Sequence, residues 1–333
     1  MGIDKIRLSV GSAKKLGLSE KKVQDTVTTC YMMTYVPGKC MANCGFCPQS
    51  RSSQSSMDKL SRISWPIFSL EVVLNRLKYL LPSQRFQRIC IQTLNYQENF
   101  NDLIKLVPEI KERTSSPIST AIPPMSQNHL RRLKSIGVER VAISLDAATL
   151  HIFNKIKGKG VNGPYTWKEH NETLIIATEI FPEWHISTHL IIGLGETQKE
   201  MVERIDALKK LKILPGLFAF MPVKGTQLEG LERPNIVGFR KIQLARNLLI
   251  RKNKPLEAIT FNREGNIIHF RINKNTLKNI IEESEAFMTT GCPGCNRPYY
   301  TSQPSGPIYN FPRNLTQPEK EDIFNQLKKF VIP

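Results

Sequence analysis

Long apolar runs are missing from this chain. Nowhere in its 333 residues do eighteen apolar residues follow one another, so no membrane-spanning helix is expected. The stretch from Met1 to Leu18 alternates charge with short apolar patches, without the continuous apolar core of a secretion signal. Ile6 stands where a myristoylation pattern needs Ser or Thr. A cytoplasmic protein is expected. Cysteine is scarce, at seven residues, and an odd count in a reducing compartment favours metal or catalytic use over disulfides. The six histidines never pair at i, i+4 on an expected helix, which argues against a histidine-based metal site. No repeat of fixed period and no low-complexity tract is present. Acidic residues are few, 29 against 47 Lys and Arg, for a net charge of +18. That balance suits acidic partners, nucleic acid or an acidic carrier protein, or simply a solvated basic surface. No block of basic residues interleaved with aromatics chooses among them.

Against that scarcity, three of the seven cysteines fall within eight residues, Cys40-Met41-Ala42-Asn43-Cys44-Gly45-Phe46-Cys47. Thiolates at this C-x3-C-x2-C spacing can hold three corners of a [4Fe–4S] cube. No fourth cysteine follows at short spacing, so one iron keeps an open position, where a metal acts on a bound molecule. The blander readings are an incomplete zinc knuckle or three unrelated core cysteines. Zinc sites usually pair two C-x2-C units, and core cysteines rarely cluster so tightly.

Downstream, strand-like and helix-like patterns alternate. Strands are expected over 30–36, 88–94, 118–122, 138–145, 185–192 and 217–223; helices over 70–81, 103–113, 128–136, 169–180 and 199–211. Such alternation implies parallel strands with crossover helices, and six units suit an α/β fold, a partial (β/α)6 TIM-type barrel. Residues 1–29 read as a helical lead-in, 30–225 as the barrel, and 226–333 as a C-terminal extension. The extension should carry helices over 234–251, 275–287 and 317–330, with an antiparallel pair around Gly265.

The C-x3-C-x2-C motif, with Phe46 just before its third cysteine, resembles the signature of radical S-adenosylmethionine (SAM) enzymes. In that family the open iron chelates the amino and carboxylate groups of SAM. The resemblance implies that strand ends carry the cofactor. The segment Ile143-Ser144-Leu145-Asp146-Ala147-Ala148-Thr149 is similar to one in the biotin synthase branch, where an acidic residue accepts hydrogen bonds from the SAM ribose. Ser144 and Asp146 are therefore expected at the cofactor, with Asp146 as a helix N-cap the alternative. Ile192-Gly193-Leu194-Gly195-Glu196 loosely matches the family's glycine-rich element, which places Gly193, Gly195 and Glu196 there too. Where the family usually has Gly-Gly-Glu on the second strand, this chain has Gln92-Thr93-Leu94, which leaves the amino-group contacts unassigned.

A second constellation is Cys292-Pro293-Gly294-Cys295. A C-x2-C turn is half a tetrahedral metal site and needs a partner. Of the two spare cysteines, Cys90 lies between Ile89 and Ile91 and reads as a small core residue. Cys30 lies at the mouth of the segment leading into the cysteine loop. Cys30, Cys292 and Cys295 are thus the expected ligands of an auxiliary [4Fe–4S] cluster, with Ser302 or Ser305 as a fourth; a zinc knuckle or a thiol pair is the alternative. Two clusters imply sulfur insertion. Together, GKCMANCGFCPQS, ISLDAAT, STHLIIGLGET and GCPGCNRPYYTSQPSGPIYNFPR resemble the biotin synthase and lipoyl synthase neighbourhood, and most of all one subunit of the two-protein archaeal lipoyl synthases. That resemblance implies conversion of protein-bound octanoyl-lysine to lipoyl-lysine. It also implies a lipoyl carrier protein, a second radical SAM subunit and an electron donor such as ferredoxin as partners. Nucleic acid is not expected, for want of an RNA-binding module. The alternatives are biotin synthase-like insertion into a small molecule and radical modification of RNA.

Overall fold

The structure is a computed structural model, describing residues 3–303 and 305–332. The chain opens with strand β1 (Lys5–Leu8) and a short helix α1 (Val10–Lys15), where a helical lead-in was expected. β1 lies antiparallel to β2 (Thr29–Thr34), so its apolar Ile6 and Leu8 extend the sheet and are fully buried. After the cysteine loop come the two-residue ladders β3 (Lys59–Leu60) and β4 (Ile63–Ser64), then β5 (Ile67–Ser69), which pairs with the far side of β1. None of these three was expected. Two or three residues carry too little periodicity to register.

The barrel follows as α2 (Leu70–Lys78), β6 (Arg88–Gln92), α3 (Asn99–Arg113), β7 (Ile118–Ile122), α4 (Gln127–Ser135) and β8 (Val138–Ile143). It continues through α5 (Leu150–Ile156), α6 (Trp167–Ile180), β9 (Ile186–Ile192), α7 (Gln198–Lys210) and β10 (Leu214–Ala219). The strands lie in the order β10-β9-β8-β7-β6-β2, each parallel to its neighbour. This is the expected partial barrel. Side chains alternate across each strand. On β6, Ile89 and Ile91 are fully buried in the apolar core, while Arg88, Cys90 and Gln92 face cavities within the barrel. Ser126, Thr149, Thr166 and Thr197 cap α4, α5, α6 and α7 by accepting from the backbone three residues on.

The C-terminal region holds α8 (Ile236–Arg246), β11 (Ile259–Phe261), β12 (Ile267–Asn273), α9 (Lys274–Glu282), α10 (Gln317–Leu327) and β13 (Val331–Ile332). β11 and β12 are the expected antiparallel pair. The region is not a separate appendage, because residues 288–311 run back into the barrel. Thr290 Oγ1 accepts from Leu217 N at 2.7 Å, and Asn310 Nδ2 donates to Leu217 O at 2.9 Å. On the other flank, Thr29 Oγ1 donates to Gly294 O at 3.0 Å and Asn296 Nδ2 to Thr26 O at 2.9 Å. The segment thus bridges β10 and the start of β2, the first and last of the six parallel strands.

Candidate active site

The cysteine loop follows β2, at the C-terminal ends of the strands, where barrels of this type hold ligands. It is pinned from both sides. Met41 N donates to Asn95 O at 2.8 Å, Asn95 N to Cys40 Sγ at 3.1 Å, and Gly45 N to Ile156 O at 2.7 Å. Within the loop, Cys47 N donates to Cys44 O at 3.0 Å. Gly225 packs its backbone against this region, at φ +85°; a Cβ there would stand 2.5 Å from Ser55 N. Burial pushes all three thiols above their ordinary range, Cys47 to about 12, and at Cys44 and Cys47 the neighbouring cysteine sulfurs add to it. Buried thiols brought within reach of one another's charge are a donor set for soft iron, although among the described residues no three ligating side chains already stand in metal geometry.

Beside the loop lies a cavity of about 170 Å³, walled by Phe46, Cys47, Gln92, Asp146, His189 and Tyr300 among others. Asp146 sits at φ +62° just past β8, with its N–H donating to His189 O at 2.8 Å. Its carboxylate accepts from Lys157 Nζ at 2.6 Å, and both side chains are buried. Asp146 is not the helix cap, which is Thr149. Burial alone would depress Lys157, but Asp146 and the thiols of Cys44 and Cys47 outweigh it and hold the ammonium above its ordinary range. Ser144 Oγ lies 2.8 Å from His189 Nδ1, and burial lowers His189 to about 3, so the imidazole is neutral. Gln92 Nε2 and Tyr300 Oη have no hydrogen-bond partner among the described residues.

Gly193, Gly195 and Glu196 form a turn that serves itself. Glu196 accepts from Gly193 N at 2.7 Å and Leu194 N at 3.0 Å, while Gly193 (φ +103°) packs against Pro234. None of the three lines the cavity.

The second thiol group lies at the other end of the barrel, and its membership differs from the sequence expectation. Cys30 points outward from β2, where its thiol meets Ser12 of α1 and Lys15, and burial raises it strongly. Its neighbour Tyr31 points inward, with Oη 3.5 Å from Cys295 Sγ. The alternation of β2 thus takes Cys30 away from the turn. Cys90 replaces it, lining with Cys292 and Cys295 a cavity of about 30 Å³. The flanking isoleucines concealed this, since they pack outward while Cys90 faces in. Ser302 Oγ is committed to Tyr309 N at 2.9 Å and Ser305 is exposed; neither lines the thiol cavity. Arg297 does, and it packs over the rings of Tyr31, Phe218 and Tyr300 at 5.1–5.5 Å. Burial lowers its affinity for a proton, but Cys90 and Cys295 more than restore it. Three thiols fit a soft metal centre, whose entry would require side chains to spread from so small a space. His189, Phe218 and Arg297 line both cavities and form the wall between them.

The sequence profile of the Radical SAM superfamily matches residues 34–208, which include the cysteine loop and the strand ends just described. Among curated proteins, the chain is 25% identical over 239 residues to a biotin synthase of Methanococcus aeolicus, covering 71% of this chain and 65% of that one. It is 25% identical over 218 residues to a biotin synthase of Clostridium acetobutylicum, covering 64% and 62%. The alignments thus span a little under two thirds of these relatives' length. Among solved structures, the FeFe-hydrogenase maturase HydG from Carboxydothermus hydrogenoformans superposes with a TM-score of 0.51 at 16% identity, over 73% of this chain and 56% of that one, a likeness of fold. Among the described residues, no helix is long and apolar enough to cross a membrane.

Proposed function

The chain belongs to the Radical SAM superfamily, and from that premise we propose that it inserts sulfur into an unactivated C–H bond of an acyl chain, as one subunit of a lipoyl synthase acting on octanoyl-lysine of a carrier protein. The observation that carries sulfur insertion is the second thiol group, Cys90 with Cys292 and Cys295, in the same barrel as the cysteine loop and one side chain's thickness from the cofactor cavity. The family's [4Fe–4S] cluster with SAM supplies, when bound and reduced, the radical that removes hydrogen from a methylene.

In this reading Cys40, Cys44 and Cys47 hold the front cluster. Asp146, oriented by Lys157, accepts from the ribose hydroxyls. Phe46 covers the cofactor. Gly193, Gly195 and Glu196 act one step removed, by fixing the turn after β9. Cys90, Cys292 and Cys295 hold an auxiliary cluster as sulfur donor. The wall of His189, Phe218 and Arg297 keeps the two centres apart and must yield to the substrate chain. The net charge of +18 favours an acidic carrier domain, and an acidic electron donor such as ferredoxin; a second radical SAM subunit completes the proposed assembly.

Two features bear on the acyl substrate. The late segment that resembles lipoyl synthases supplies two of the three rear thiols, which favours the carrier-bound acyl chain. The names of the curated relatives favour a second reading, sulfur insertion into a free small molecule of the dethiobiotin kind. Anaerobically reconstituted protein, with and without a second subunit, should convert octanoylated carrier peptide to a thiolated product under reduction and leave dethiobiotin unchanged. The reverse preference would establish the second reading, and 5′-deoxyadenosine without any thiolated product would overturn both.

A further inference from the structure

Behind the Cys292–Cys295 turn, on the side away from the cofactor, lies a cavity of about 740 Å³ that the proposed reaction does not use. Its walls come from the N-terminal ends of the barrel strands: Thr28 before β2, Gln87 before β6, Arg140 on β8, Trp184 before β9 and Leu214 at the start of β10. Cys292 and Cys295 line this cavity as well as the inner thiol cavity, so the turn is the partition between outside and inside. Three arginines, Arg140, Arg246 and Arg251, face it against one carboxylate, Glu285, which Arg251 engages. Arg140 is nine-tenths buried; its Nη2 donates to Trp184 O, yet its Nε has no hydrogen-bond partner among the described residues. Arg88, on the inner side of the same turn, pairs its Nη2 with the Glu139 carboxylate but leaves Nη1 without a hydrogen-bond partner among the described residues. Buried guanidinium N–H groups left unmatched beside thiols are costly unless an anion meets them.

We propose that this cavity is a rear port that admits hydrosulfide to the auxiliary site from the barrel end opposite SAM. The proposal rests on the reading that Cys90, Cys292 and Cys295 hold a sulfide-donating cluster. Each insertion removes a sulfide, while cofactor and substrate occupy the front. Hydrosulfide already has the oxidation level of cluster sulfide. It enters the site by losing its proton to solvent, without gain or loss of electrons. The excess of arginine concentrates the anion, and the Cys292–Cys295 turn is the gate it reaches.

The test separates the port from the cluster. In the full chain before cluster loading, alkylation of each cysteine is timed by peptide mass spectrometry with anionic iodoacetate and with neutral iodoacetamide. The ratio of the two rates at Cys292 should exceed that at Cys40 by about three- to tenfold. Arg251→Gln should lower it and Glu285→Gln raise it, each by roughly twofold, and about 0.5 M salt should erase the differences. Both variants change exposed side chains, so folding is preserved. Equal ratios at the two cysteines, no response to either variant, or a Cys292 closed to both reagents overturns the port. In a second arm, the Cys40/Cys44/Cys47→Ala chain is reconstituted with ferrous iron and varied sulfide, following iron–sulfur absorbance. Arg251→Gln should raise the sulfide concentration for half-maximal rate about twofold. A cluster that forms with no change in that concentration sinks the port and leaves the cluster reading intact. No cluster at all, with the alkylation ratios as expected, leaves an anion port and removes its role in sulfide supply.

Discussion

The thiols at the front of the barrel come from one loop of eight residues, whereas those at the rear come from the middle of a strand and a turn near the end of the chain. The front set is local, and its spacing carries its chemistry whatever the rest of the chain does. The rear set exists only once residues 288–311 have folded back between β10 and β2. Front assembly therefore demands little beyond the loop's own pins, and rear assembly demands the whole barrel. A change that loosens the late segment should empty the rear and spare the front.

The largest expected effect breaks the comparison at the front. Replacing Cys40, Cys44 and Cys47 together by Ala should abolish 5′-deoxyadenosine formation while iron at the rear is retained. Iron counted per chain, beside the nucleoside product by chromatography, reads both. Undiminished cleavage of SAM in that variant would remove the central assignment.

At the rear, Cys90→Ala and Cys292→Ala/Cys295→Ala should each stop thiolated product while SAM is still cleaved. Cys30→Ala should leave product formation unchanged to within about twofold, at a stability cost of roughly 1 kcal/mol for a small buried side chain. If Cys30→Ala stops thiolation and Cys90→Ala does not, the inward face of β6 has been misassigned.

The same contrast governs what could be read before folding. Six strands and five crossover helices were legible because their apolar periods are long and their ends carry Gly, Pro and capping residues; strand 118–122 matches to the residue. The Cys40, Cys44 and Cys47 motif was legible for the same local reason. Cys90 was not. Alternation gives Arg88, Cys90 and Gln92 one face and Ile89 and Ile91 the other, but it does not say which face looks into the barrel. The polar ends of that stretch, Arg88 and Gln92, were the available signal, because on a strand buried on both faces they need an interior that is not apolar. α5 was missed because seven residues between two loops hold barely two turns. Arg297 carried no signal at all, since its place between the two cavities depends on the fold-back of the late segment.

A smaller effect concerns the coupling of cofactor pocket to fold. Asp146 and Lys157 are a buried pair at 2.6 Å, so removing one partner leaves the other charged and uncompensated. Asp146→Ala should cost about 3 kcal/mol in urea unfolding of the chain without cofactor. Lys157→Met placed in that background should restore most of the loss, whereas SAM binding should stay weakened. A double variant no more stable than the single one would mean that Asp146 is held by its backbone conformation and not by the pair.

Smallest per unit of change is a slope with pH, and it sharpens the comparison because His189 stands in the wall between front and rear. Burial comes first among the causes that lower its pKa to about 3, followed by the charges of Arg297 and Lys157. An unfolded histidine titrates near 6.5. Between those two values the unfolded chain binds a proton that the folded chain refuses, so this residue's contribution is complete above pH ~6.5 and falls as pH is lowered towards 3. Each pH unit in that window should cost up to about 1.4 kcal/mol from this site. His189→Gln, which can still pair with Ser144, should remove that part of the slope while stability at pH ~8 changes little beyond the lost ring packing on Phe218 at 5.0 Å. Urea midpoints of both proteins across that range measure it. Parallel pH profiles would mean that the imidazole takes up its proton in the folded state, and that the wall between the two thiol sites admits water.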